Sequence, residues 1–255
     1  MPDNRISSLI AEFKSYLKEC KNLGITYVPH ETVKKLEDIS EKIKKARLEK
    51  RYKNKMGDIE QISNLSDLEY MVSNCTLCSL HKNRKNSVFG EGSNAPILML
   101  IGEAPGREED LTGRPFVGKS GELLTKMLRA INIERQEVFI TSVIKCRPPR
   151  NRTPLEDEIN SCMPYLIKQI ELLKPKLILC LGATASKVLL GDKGPLSKIR
   201  GRFFELDGKK VIVTYHPAFL LRFAGAKQIE LKRQAWHDLQ VLQKEYEKIK
   251  KAYNK

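Results

Sequence analysis

The chain has 255 residues, 41% of them hydrophobic and 30% charged. It can therefore form one large domain or a domain with an appendage, and disorder throughout is excluded. Lys and Arg number 46 against 31 Asp and Glu, a formal net charge of +15, which favours a polyanionic partner, nucleic acid first among them. No apolar h-region opens the chain, and the longest apolar runs, 97–101 and 177–181, have the length of strands. Neither export nor membrane insertion is expected, so the chain is expected to act in the cytoplasm. Disulfides are rare there, and the six cysteines need another explanation.

Residues 1–64 read as a basic helical extension. Ile6, Leu9, Ile10, Phe13, Leu17 and Cys20 fall at helical spacing, which predicts an amphipathic helix. After Gly24 and Pro29 a second helical stretch runs into Lys42, Lys44, Lys45, Arg47, Lys50, Arg51, Lys53 and Lys55, opposed within that run only by Glu49. A DNA-binding arm and a solvated linker explain this run equally well.

Residues 65–255 alternate α and β patterns. Strand-length apolar runs occur at 96–102, 138–144, 176–182 and 210–215. Helical patterns lie between them at 120–131, 155–173 and 183–190. A last helix, from 228 to about 250, carries Trp236, Leu239, Leu242 and Tyr246. Apolar strands alternating with helices predict a parallel sheet covered on both faces. Ligands of such sheets bind at the C-terminal ends of the strands.

Two cysteines, Cys75 and Cys78, form a C-x-x-C pair before the first strand, while Cys146 follows the second strand and Cys162 lies in the helix after it. Two thiolates from one turn and two from elsewhere can hold either Zn²⁺ or a [4Fe–4S] cluster, and spacing alone leaves both open. Cys20, on the apolar face of the first helix, and Cys180, within a strand, read as small core residues.

The first strand runs into Gly102-Glu103-Ala104-Pro105-Gly106-Arg107-Glu108-Glu109-Asp110, then Gly113-Arg114-Pro115-Phe116-Val117-Gly118. Later come Lys145-Cys146-Arg147-Pro148-Pro149-Arg150-Asn151-Arg152 and Tyr215-His216-Pro217-Ala218-Phe219-Leu220-Leu221-Arg222. Taken singly, Phe116 would be a core residue, His216 a capped turn and the acidic stretch 108–110 a solvated loop. Together with the four cysteines, in this order and spacing, the segments resemble the family 4, thermophile-type, iron–sulfur uracil-DNA glycosylases, over about residues 65–245.

The resemblance implies a three-layer α/β/α sandwich with a central, mostly parallel four-stranded sheet, and a [4Fe–4S] cluster on Cys75, Cys78, Cys146 and Cys162. It implies a monomer that flips uracil out of single- or double-stranded DNA and hydrolyses its N-glycosidic bond, beginning base excision repair. Phe116 would stack on the base, and Gly102, Ala104 and Gly106 would let backbone amides approach its edge. His216 would donate to the departing uracil anion. Glu109 would act on the attacking water, with Glu103 shaping the pocket. Phe219, Leu220 and Leu221 would form a wedge filling the gap left in the stack, and Arg222, Arg150 and Arg152 would contact DNA.

One position departs from the family. Ser142 stands where an asparagine usually recognises uracil, and a hydroxyl is shorter and has one donor instead of two. Hypoxanthine or xanthine are therefore alternative substrates, and a DNA-binding protein of the same fold with little turnover is a third reading. The stretch Gly113–Ser120 also fits the phosphate-loop pattern G-x-x-x-x-G-K-[ST]. That loop must follow a buried strand directly, and here polar residues 108–112 precede it, so a chance match is expected.

Overall fold

In the computed structural model the structure describes residues 3–23, 34, 39 and 57–253. The chain divides into two units, Met1–Gln61 and Ile62–Lys255. In the first, the amphipathic pattern forms helix α1 (Asp3–Asn22). The basic run 42–55 lies outside the described residues.

The second unit opens with α2 (Leu65–Ser73). Asn64 caps it by accepting the Asp67 N–H at 2.9 Å, and the helix buries Leu68 and Val72. Six strands follow: β1 (Glu91–Gly92), β2 (Leu98–Gly102), β3 (Phe139–Ser142), β4 (Leu177–Leu181), β5 (Phe203–Leu206) and β6 (Lys209–Thr214). They form one sheet of order β1-β3-β2-β4-β6-β5. The pairs β3·β2, β2·β4 and β4·β6 are parallel, and the two edge strands are antiparallel. The four predicted strands are thus the parallel centre, and the sheet has six strands instead of the expected four.

Both added strands lack the buried run that marks the others. With only two residues, β1 carries no period at all. In β5, exposed and half-buried positions alternate, as an edge strand with one covered face requires. It reaches β6 through Asp207 and Gly208, at φ 46° and 73°, the left-handed pair of a two-residue hairpin turn. That Asp-Gly dipeptide is the sequence signal for the extra strand.

Every residue of β2, β3 and β4 is buried, which happens only where helices cover both faces. On one face Leu98 and Leu100 of β2 share a core with Leu124 and Leu128 of α4 (Lys119–Ala130) and with Leu239 and Leu242 of α9 (Gly225–Tyr253). The intervening Met99 and Ile101 are buried against the opposite face. There α2 packs on α5 (Glu156–Leu173), and α6 (Ala183–Leu190) packs on β4. Three short helices complete the unit: α3 (Arg107–Thr112), α7 (Leu196–Ile199) and α8 (Pro217–Leu220). Of these, α3 and α8 sit with their first turns at the C-terminal ends of β2 and β6. Among the described residues no helix is long and apolar enough to cross a membrane.

Candidate active site

A cavity of about 560 Å³ opens at the C-terminal ends of the parallel strands, and Glu103, Ala104, Gly106, Glu109, Phe116, Ser142 and His216 all line it. The sequence places each of these at one site, and the fold brings them together. Gly102 stands behind them, paired in register with Ser142. A β-carbon on Gly102 would come within 2.6 Å of the Phe116 ring, so only glycine lets that ring lie against the strand end.

Phe116 is 7% exposed and adopts φ 50°, a left-handed conformation rare for a bulky residue. Its neighbours enforce it. A β-carbon on Gly121 in α4 would fall 1.8 Å from the Phe116 carbonyl oxygen, so the helix approaches as closely as glycine permits. On the other side Glu109 holds the turn. Its Oε1 accepts the N–H groups of Val117 at 2.9 Å and Gly118 at 3.0 Å, and its Oε2 accepts Gly106 N–H at 3.1 Å. Of the carboxylate's roughly four acceptor sites, three are therefore taken by backbone. Glu109 is 8% exposed, unlike its exposed neighbour Glu108.

The same contacts dispose of the phosphate-loop pattern. The stretch follows α3 instead of a strand, and two of its amides already face the Glu109 carboxylate. A phosphate would meet a negative charge there.

His216 caps α8. Its Nδ1 accepts the Ala218 N–H at 3.1 Å, which leaves the ring proton on Nε2. Burial, with the Arg222 guanidinium nearby, pushes its pKa down to about 4, so the ring is neutral at pH 7 and offers one donor. Gly182, at φ 93°, allows the His216 β-carbon to approach. The imidazole and the Phe116 ring lie 5.5 Å apart at 31° and form one wall. Glu103 accepts a hydrogen bond from the Thr184 hydroxyl. Thr184 escapes the sequence reading, although it lies only three residues past the end of β4, in the first turn of α6, where site residues are expected.

The expected DNA-contacting residues separate. Phe219 and Arg222 reach the cavity, and Leu221 is 42% exposed beside them. Leu220 is 1% exposed and packed in the core, so it cannot be part of an inserting wedge. Its neighbour in sequence is the free one. Arg150 is exposed and stands apart from the cavity lining. Arg152 lines the cavity but is clamped to the buried Glu158 by bonds of 2.8 and 2.7 Å, so most of its fork is already engaged.

A second, apolar-walled pocket is lined by Cys75, Cys78, Cys146 and Cys162 with Arg84, Lys145 and Tyr165. Arg84 donates to Cys146 Sγ at 3.0 Å, and the Lys145 backbone N–H to Cys162 Sγ at 3.3 Å. Burial pushes the Cys78 thiol up to about 11 and the Cys162 thiol up to about 12. The Tyr165 hydroxyl is buried beside Cys75, and among the described residues no nitrogen or oxygen accepts a hydrogen bond from it or donates one to it. Among the described residues no three His, Cys, Asp or Glu side chains gather tightly enough to hold a metal ion. Cys180 is wholly buried in β4, away from this pocket.

Residues 89–240 match the family model described as the Uracil DNA glycosylase superfamily. The chain belongs to the uracil-DNA glycosylase superfamily. Within that superfamily it is 47% identical over 171 residues to the type-4 uracil-DNA glycosylase of Thermotoga maritima, covering 66% of this chain and 88% of the relative. It is 46% identical over 166 residues to that of Pyrobaculum aerophilum (62% and 85%), and 42% identical over 168 residues to that of Archaeoglobus fulgidus (63% and 84%). The superfamily match takes in every residue that lines the cavity except Val88. Residues 1–64 precede it.

Proposed function

We propose that this chain is a monofunctional uracil-DNA glycosylase that initiates base excision repair by flipping uracil into the cavity and hydrolysing its N-glycosidic bond. The observation that carries the reading is His216 accepting the Ala218 N–H on Nδ1, so that Nε2 carries the proton, in one wall with the ring of Phe116, whose backbone is held in a left-handed conformation. Cleavage of the C1′–N1 bond sends its electron pair into the base, and the developing anion is met by the Nε2–H donor. Because the ring stays neutral, it donates a hydrogen bond without transferring the proton. A water then adds to C1′ and loses its proton towards the carboxylates at the cavity floor. Glu109, with about one acceptor site left for the cavity, orients that water and opposes the positive charge on the sugar. Phe116 stacks on the flipped base, and Leu221 enters the gap it leaves.

Cys75, Cys78, Cys146 and Cys162 suit a [4Fe–4S] cluster. Burial disfavours Cys78, Cys146 and Cys162 as thiolates, so positive irons would be needed to deprotonate them, and Arg84 and the Tyr165 hydroxyl lie in the same pocket as donors to sulfur. Cys75 and Cys78 before the sheet, Cys146 in the loop after β3 and Cys162 in α5 would hold such a cluster, which would tie those three segments together.

Ser142 favours a second reading, excision of another deaminated base. Single-turnover cleavage of oligonucleotides carrying uracil, hypoxanthine or xanthine tests both. Cutting at uracil is expected. Cutting only at a purine would overturn the substrate, and binding without cutting at any base would overturn the enzyme.

A further inference from the structure

Lys145 is 1% exposed, and its ammonium meets only neutral acceptors. It donates to Thr141 Oγ1 at 2.6 Å, to the Ser142 carbonyl oxygen at 2.7 Å and to Gln169 Oε1 at 2.7 Å. Three acceptors use all three of its hydrogens. The network continues to one further atom, the Phe89 carbonyl oxygen, which accepts Thr141 Oγ1 at 2.7 Å and Gln169 Nε2 at 2.9 Å. The backbone of Lys145 is equally committed: its carbonyl accepts Val88 N–H at 2.7 Å, and its N–H points at Cys162 Sγ.

These bonds reach both pockets. Val88 and Ser142 line the base cavity, while Cys146 and Cys162 line the cysteine pocket. Burying a lysine with no carboxylate partner is costly, and burial holds the Lys145 pKa down at about 7, partly offset by the neighbouring Cys162 and Cys146. Whatever offsets that cost, a triple donor at this place fixes Thr141 and Ser142 of β3 and Gln169 of α5 relative to one another.

We propose that Lys145 is a positioning residue for base excision, a strut that fixes the Ser142 end of β3 against the flipped base and ties that wall to the cysteine-lined pocket. It touches no substrate itself and acts through Thr141, Ser142 and Gln169. The inference rests on the glycosylase reading of the cavity.

The full-length variants Lys145→Met and Gln169→Leu test it. Three quantities are read for each: the saturating single-turnover rate on uracil, the discrimination of uracil over cytosine, and affinity for an oligonucleotide carrying an uncleavable abasic-site analogue. Loss of a hydrogen bond to a charged group should slow Lys145→Met by roughly ten- to hundredfold at saturating enzyme. Discrimination should fall, and affinity for the analogue should stay at the wild-type value, because the buried Lys145 side chain reaches no DNA. Gln169→Leu should show the same split, and the double variant should be no slower than Lys145→Met, since both act through one network. Wild-type rate and discrimination in either folded variant would overturn the strut. So would a rate and an affinity that fall together, or fully additive effects. If Lys145→Met does not fold, Gln169→Leu decides alone. Failure of the wild type to excise any base would instead remove the glycosylase reading.

Discussion

A neutral His216 gives excision a pH dependence whose sign can be worked out. The working form carries its proton on Nε2 and accepts Ala218 N–H on Nδ1, and a second proton would break that contact. With the folded pKa near 4, the single-turnover rate should be flat from about pH 8 to pH 5, with no inflection at the usual histidine value of about 6.5, and should fall towards pH 4. Stability follows the same group. The unfolded chain binds the proton first, so the folded state loses stability as pH drops from about 6.5 to about 4. Urea midpoints across that range should slope downwards for the wild type, and less so for His216→Ala. Ser142 makes a different claim. Replacing it by asparagine should raise uracil excision by roughly ten- to hundredfold if a bidentate contact is realised in the transition state. A mutant that cuts uracil no faster than the wild type would show that position 142 does not set specificity. At this scale Phe116, Glu109 and His216 are legible because each stands in a segment that follows a strand end. Lys145 is not, because a lysine beside Cys146 looks like surface until Gln169, from a distant helix, is folded over it.

Elements decide what single letters hide. Leu220 and Leu221 are indistinguishable in sequence, yet the short helix α8 turns one into the core and the other outwards. Leu220→Ala should therefore cost about 2–5 kcal/mol of stability, as other buried leucines do. Leu221→Ala should leave the urea midpoint unchanged and weaken binding and excision in duplex DNA more than in single strands, where no stack needs filling. The cysteines also span elements. Serine at Cys75, Cys78, Cys146 or Cys162 should remove colour, iron and acid-labile sulfide, while Cys180→Ala should keep them. Colourless protein with stoichiometric zinc would refute the cluster. The parallel centre of the sheet is readable because strands buried on both faces leave unbroken apolar runs. The edges are not, since β1 is too short for any period and β5 owes its place to a turn.

The whole molecule carries +15, and much of that excess is concentrated in 42–55. If this run binds phosphates, changing its lysines to glutamine should lower affinity for any DNA. The dependence of log K on log salt should flatten by about 0.9 for each duplex phosphate that is no longer neutralised. Base preference should not move, because phosphates carry no sequence information. An unchanged slope would make the run a bystander.

The cavity is built where the sheet ends, on residues that follow strands whose other positions are wholly buried. Phe116 and Glu109 serve both packing and the cavity, whereas the sheet beneath takes no part in lining it at Ala104 or Thr184. Inheritance can then act on those two positions separately: a lineage can exchange Ala104 or Thr184 and try a new damaged base while the three-layer scaffold beneath stays unaltered. Such a protein can change its diet without relearning how to fold.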